Sequence, residues 1–421
     1  SETWRAVFDL NHEQPQLLEL LRTIGVAHVH FHHMLGHHQF SWQLPGALGV
    51  GYDFTSHDFY SFCTNITLTG KDNRYQVDAH GECCGGEHPP SMPPVADQIT
   101  DWRIRNRIFL EGARFVLSPS LDTAQRMLRA FPSARVRWAP HTDLEIDALA
   151  SPQPRPLHPQ QRLRVVVIGA LSIIKGAEVL EATARAAQKN GIPVEYHLIG
   201  YGYRHLQTNG TALTVHGEYD DAALPALLQR LAPDVAWFPA LWPETYSYTL
   251  SAALDAALPV VVSNLGALAE RVANRPWTWV QDWTSTPEQW AELFGRIREA
   301  FVEKKAATDA TPVAPALAQA LKDLQEKLGT WSYQADYLAF APASSAANAK
   351  QGETASAPYA SKAQQIAFQF VTGRTLPAAP LHSGGLLYRS ALRLQRMPLL
   401  GPAMRAVPQS WRYRVKRLLS R

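Results

Sequence analysis

Residues 242–259 (WPETYSYTLSAALDAALP) place a single carboxylate, Glu244, in a polar loop between the apolar runs 235–238 and 259–262. A buried strand, a loop, an Ala/Leu-rich helix and a second buried strand within a few turns of chain form the pattern of a parallel βαβ unit. Ligands of such sheets bind beyond the carboxyl ends of the strands, and a helix opening directly after Glu244 offers backbone N–H groups suited to a phosphate. A second place of this kind follows the apolar run 163–168, where Gly169 leads to Lys175 and Gly176. A lysine, loop amides and a helix dipole suit the same anion; the plainer reading of Lys175 is a solvated lysine at a helix start. Gly200 and Gly202 follow the strand-like run 194–199, and a glycine at a strand end lets a ligand approach the backbone.

Histidines crowd residues 28–38 (His28, His30, His32, His33, His37, His38). They raise a metal reading, but no carboxylate or cysteine stands beside them to complete a zinc site, and they read better as the lining of a cleft. His57-Asp58 follows the strand-like run 50–55, which leaves His57 at a strand end as a hydrogen-bonding group near neutral pH, or as a satisfied structural histidine. The loop between Cys63 and Met92 contains Cys83, Cys84, His80 and His88; the spacing is not that of a zinc ribbon, and a lid or an acceptor-contacting loop is the better reading.

These residues need elements to hold them. Helical patterns cover 15–23, 39–48, 97–112 and 121–131, with strands at 26–31, 50–55, 114–117 and 136–139. After the Pro-rich stretch 151–161, strands at 163–168, 194–199, 214–217, 235–238 and 259–262 alternate with helices, as in a doubly wound parallel sheet. Trp277, Trp279 and Trp283 fall in an expected turn, and Trp290 in a helix, all as packing groups. Helices at 289–304 and 317–328 are expected to cross back onto the first domain.

At 421 residues the chain calls for two domains and extras. It is 46% hydrophobic and 18% charged, with no apolar run of the roughly 20 residues a membrane span needs. Three cysteines, two adjacent, argue against a disulfide framework and for a reducing cytoplasm. The net charge of +3 conceals an asymmetry: residues 354–421 hold 11 Lys and Arg and no acid, leaving 29 basic and 37 acidic residues before them. Residues 341–360 are Ala/Ser-rich and read as a flexible linker. Beyond it, 386–397 and 411–419 mix Leu, Tyr, Trp and Met with arginines, which suits an anionic membrane surface better than nucleic acid, for which no motif is present.

The stretch around Glu244 resembles the retaining glycosyltransferases of family 4, whose signature is Pro-x-x-x-Glu, seven residues, Glu-Ala, then a small residue and Pro-Val. Here Pro239 stands one residue further upstream, Ala252 takes the second acidic place and Ala257 the small one. The segment from Gly169 to Gly176 resembles the family's Gly-Arg-Leu-x-x-x-Lys-Gly with Ala170 for the arginine, and 263–270 resembles Ser-x-x-Gly-Gly-x-x-Glu with Ala267 for the second glycine and Glu270 in place. The His-rich strand end, His57, and Ser118-Pro119-Ser120 with Pro140-His141-Thr142-Asp143 resemble the family's first domain.

The resemblance implies an α/β chain of the GT-B fold, two Rossmann-like domains facing a cleft, with a basic C-terminal helical tail. Its expected parts are an acceptor-side domain (1–150), a linker (151–161), a nucleotide-sugar domain (162–300), returning helices (301–340), a flexible linker (341–362) and the tail (363–421). About four core strands precede the linker where such a domain usually has about seven, so the first domain is expected to be reduced, or the chain to be a piece of a longer protein. The resemblance further implies that Glu244 meets donor-sugar hydroxyls, that the backbone of Thr245, Tyr246 and Ser247 meets sugar and diphosphate, that Gly169 and Gly200 line the donor site, that Lys175 neutralises phosphate, and that His57 reaches in from the opposite domain. No metal or other cofactor is expected, since cations and helix N-termini stabilise the leaving group. The implied partners are a nucleotide sugar, a glycan or lipid-linked acceptor and the inner face of a bacterial cytoplasmic membrane. Losing the carboxylate at Ala252 costs about 1.5–3 kcal/mol of donor binding, one to two decades. The alternative is a catalytically inactive scaffold in a polysaccharide assembly complex.

Overall fold

The computed structural model describes residues 7–63, 65–77, 99–141, 151–152, 154–273, 275–303, 315–329, 331–332 and 336. The chain divides into two compact units, Ala27–Pro342 and Ser1–Val26 with Ala343–Arg421. In the smaller unit, α1 (Gln14–Thr23) starts with proline in its first turn and buries Leu20 against Phe8 and Ile24. The Ala/Ser-rich linker, the basic tail, Cys83, Cys84, His80, His88 and Asp143 lie outside the described residues.

The larger unit holds two parallel sheets. The first runs in the order β1 (His28–Phe31), β2 (Gly51–Thr55), β3 (Val116–Ser118), β4 (Val136–Trp138). Helices α2 (Phe40–Leu48), α3 (Ile99–Gly112) and α4 (Leu121–Ala130) connect them. Phe31, Phe54, Phe109, Val116, Met127 and Val136 form their common core. Cys63 is buried in that core too, which gives the thiol a packing role.

The second sheet has six strands: β5 (Leu163–Leu171), β6 (Val194–Gly202), β7 (Leu213–Val215), β8 (Val235–Phe238), β9 (Val260–Ser263) and β10 (Thr278–Gln281). Its order is β10-β9-β8-β5-β6-β7, all neighbours parallel. This is the doubly wound order, reversing between β5 and β8. The strands Val235–Phe238 and Val260–Ser263, apolar but for Ser263, are buried on both faces, as their hydrophobic runs required. Covering helices are α5 (Ala177–Lys189), α6 (Leu224–Leu231), α7 (Tyr248–Asp255), α8 (Ala267–Arg271) and α9 (Pro287–Val302).

Two expectations are corrected here. The segment expected to be a turn around Trp279 is the edge strand β10, paired to β9 from Thr278↔Val260 to Gln281↔Ser263, with Trp279 buried against Phe301. Periodicity failed because the strand is only four residues long and three tryptophans crowd it. The helix expected directly after Glu244 begins only at Tyr248, capped by Ser247 in a positive-φ conformation (φ 76°) whose hydroxyl accepts from Leu250 N. Thr245–Ser247 are therefore loop, and contacts with neighbouring residues shape their backbone.

Of the two helices expected to cross back, α9 instead packs on the second sheet, with Trp290, Phe294 and Ile297 in its core. Helix α10 (Pro315–Leu328) alone returns to the first sheet, where Leu321, Leu324 and Leu328 join the core and Arg137 donates to Leu328 O at 3.0 Å. The lobes around the two sheets thus belong to one compact unit.

Candidate functional site

The loops that leave β5 and β8 meet at the point where the strand order reverses. Leu241 N donates to Ile174 O at 2.8 Å, binding the Lys175 loop to the Pro239–Trp242 loop. Lys175 is exposed on that junction. Gly169 and Gly200 are register partners on β5 and β6. With Ala170, Tyr201, Glu218 and Tyr219 they line a cavity of about 310 Å³. Tyr219 also lines a neighbouring 380 Å³ cavity with Tyr248, Thr249, Ser251, Ala252 and Asp255. An 800 Å³ groove between α6 and α7 continues from there, again walled by Ala252 and Asp255. The two alanines that stand where the resemblance has charged groups, Ala170 and Ala252, therefore both face this trough.

Glu244 is buried, and its loop is held from below. Ala267 N donates to Glu244 O at 2.8 Å, and Gly266 lies so close that a Cβ there would come within 2.7 Å of Glu244 N and O. Arg271 spans the next residues. Its Nη1 donates to Tyr246 O (2.9 Å) and Ser247 O (2.8 Å), its Nη2 to Ser251 Oγ (2.8 Å), and its guanidinium lies 3.8 Å from the Tyr246 ring centroid. Thr245 and Tyr246 reach the other lobe, Thr245 Oγ1 donating to His57 O (2.7 Å) and Tyr246 Oη to His141 O (3.1 Å).

The strand ends of the first sheet answer with a column of rings. His30 stacks on His32 (4.3 Å), His32 on His57 (5.2 Å), His57 on His141 (5.6 Å) and His141 on Tyr248 of α7 (5.3 Å). His32 Nδ1 and His57 Nε2 are 2.9 Å apart. Burial, aided by His32 and His141, pushes the His57 imidazole down to about 4; burial and His32 do the same for His30. Both rings are thus neutral at physiological pH. His33 goes the other way, raised by its hydrogen bond to Asp58. Among the described residues no group of three His, Cys, Asp or Glu side chains could hold a metal ion.

Residues 162–300 match the family model described as glycosyl transferases group 1. The second lobe is thus a glycosyltransferase domain, and Lys175, Gly169, Gly200, Glu244, Thr245, Tyr246 and Ser247 all fall within it. No curated protein matches the chain. Similar solved structures include Alr3699/HepE of Anabaena in complex with UDP, at 14% identity over 74% of this chain and 80% of that one (TM-score 0.44). Others are the sucrose-phosphate synthase of Thermosynechococcus elongatus, at 15% over 77% of each chain (TM-score 0.43), and a glycosyltransferase from Rickettsia africae, at 13% over 79% and 84% (TM-score 0.45).

The structure gathers His57 with Thr245 and Tyr246 at one cleft, and Gly169 with Gly200 in the adjoining cavity. The glycosyltransferase domain also uses residues for which sequence reading gave no role. Arg271 is a lone cation closing a short Ala/Leu helix, visible as an oddity but without an assignable partner. Glu270 was legible only as a motif position; its two carboxylate oxygens accept from Leu121 N and Asp122 N of α4, each at 2.7 Å. Burial raises this carboxyl, while the two backbone amide bonds, which favour its ionised form, pull it back down.

Proposed function

We propose that the protein is a retaining, metal-independent glycosyltransferase of family 4 that moves a sugar from a nucleotide-sugar donor to a growing polysaccharide or lipid-linked glycan. The observation that carries this reading is the meeting of the Glu244 loop, the Lys175 loop and the Gly169–Gly200 cavity at the reversal point of the second sheet, where doubly wound sheets bind their ligands. In this reading the diphosphate lies between Lys175 and the N-terminal turn of α7, where a cation and the positive end of the helix dipole stabilise the leaving charge without a metal. The backbone of Thr245–Ser247 lines the sugar and diphosphate, and Glu244 accepts from donor hydroxyls. His57, neutral at working pH, faces the sugar from the opposite lobe as a hydrogen-bonding group. The basic tail would hold the enzyme on the inner face of the cytoplasmic membrane, near a lipid-linked acceptor.

A thermal-shift panel of nucleoside diphosphates and nucleotide sugars tests this. A diphosphate should raise the melting temperature of the wild type and of Glu244→Gln, but not of Lys175→Ala, whose loss of a charge-assisted contact costs about one to two decades of affinity. Glu244→Gln should bind yet fail to transfer. A second reading, an inactive scaffold, is favoured by one observation: Ala170 and Ala252 both line the trough. Silence across the panel supports it.

A further inference from the structure

The loop that carries Glu244 rests along its whole length on one short element. Gly266 and Ala267 hold Glu244, and Arg271 holds Tyr246, Ser247 and Ser251. Between these grips, Glu270 points to the other lobe and accepts from the first two amides of α4. Those amides begin a helix and have no intrahelical acceptor, so a carboxylate is the partner that satisfies both at once.

We infer that α8 is a coupling element, in which the adjacent Glu270 and Arg271 make the shape of the 244–251 loop depend on the contact between the two lobes. A carboxylate bound to α4 fixes the azimuth of a helix barely longer than one turn. The azimuth in turn decides whether one guanidinium can reach two carbonyls, a hydroxyl and an aromatic face. If α4 draws away, Glu270 loses both amides, α8 is free to rotate, and Arg271 releases the loop. Glu270 and Arg271 are positioning residues; that the loop they position is a donor-sugar loop rests on the glycosyltransfer reading.

Hydrogen–deuterium exchange of the full chain without ligand tests the coupling apart from that reading. Glu270→Gln should speed exchange both at the start of α4 and across 244–252, the latter by about tenfold. Arg271→Ala should speed exchange across 244–252 alone, and Arg271→Lys, which can keep one carbonyl but not the fork, should fall between. In the Arg271→Ala background, Glu270→Gln should no longer affect 244–252. Unchanged exchange at 244–252 in Glu270→Gln overturns the inference, as does an effect that persists without Arg271. Peptides from β5 and β6 report whether a variant has lost its fold; Glu270→Asp, which keeps the charge on a shorter arm, then replaces Glu270→Gln. UDP and the other nucleoside diphosphates are added last. A wild type that ignores all of them counts against glycosyl transfer and leaves the exchange result standing, whereas diphosphate affinity that falls in Arg271→Ala and recovers in part in Arg271→Lys joins the two.

Discussion

A Cβ at position 176 would lie 2.2 Å from the Pro239 carbonyl oxygen, so Gly176 and Pro239 are in backbone contact where the loops from β5 and β8 meet. Only glycine permits this approach, and its φ of +91° strains any other residue as well. Gly176→Ala should cost about 1–3 kcal/mol and displace Lys175. Gly191 has a similar backbone (φ +65°) with nothing within 4 Å of its Cβ position, so Gly191→Ala should show the smaller cost of strain alone. Chemical denaturation of both variants measures the difference, and a nucleoside diphosphate should stabilise only the Gly191 variant.

The ring column gives the lobe interface a pH dependence. In the folded protein His30 and His57 titrate near 4, in the unfolded chain near 6.5. Between those values the unfolded chain binds more protons, so these two histidines make stability fall as pH drops from about 7 towards 4. His33, raised by its hydrogen bond to Asp58, has the opposite sign, its contribution being lost as pH rises through its raised value. The melting temperature of His57→Gln should therefore lose less between pH 7 and pH 5 than that of the wild type. Equal losses would remove His57 from the effect.

Trp279 separates a strand from a turn. Buried on β10 and packed against Phe301 and Trp277, it should cost about 3–5 kcal/mol when cut to alanine. A tryptophan in an exposed turn would cost well under 1 kcal/mol. Urea denaturation of Trp279→Ala decides between them.

Ala252 tests how the trough binds. It faces the same two cavities as Asp255, one turn further along α7. A carboxylate placed by Ala252→Glu, where the resemblance has an acidic residue, should tighten nucleoside diphosphate binding by about tenfold through one charge-assisted hydrogen bond, measured by calorimetry. Weaker binding would mean that the trough has closed around the methyl group.

The sequence alone determined the parallel sheets, because runs such as Val235–Phe238 and Val260–Ser263 can be buried only between two layers of helix. It also determined the stretches that come together, since Lys175 and Glu244 each follow such a run and strand ends are where a doubly wound sheet opens. His57 was legible for the same reason. The tertiary structure alone decided the start of α7, because Ser247 takes a positive φ while Arg271 grips the carbonyls beside it, a contact 24 residues away in sequence. It alone showed that β10 is a strand, since a four-residue edge has too few positions to display a period. Above all it gave Glu270 and Arg271 opposite duties. Neighbours in a sequence share a motif position, but on a helix they point about 100° apart, and what each one meets depends on elements that the local pattern does not contain.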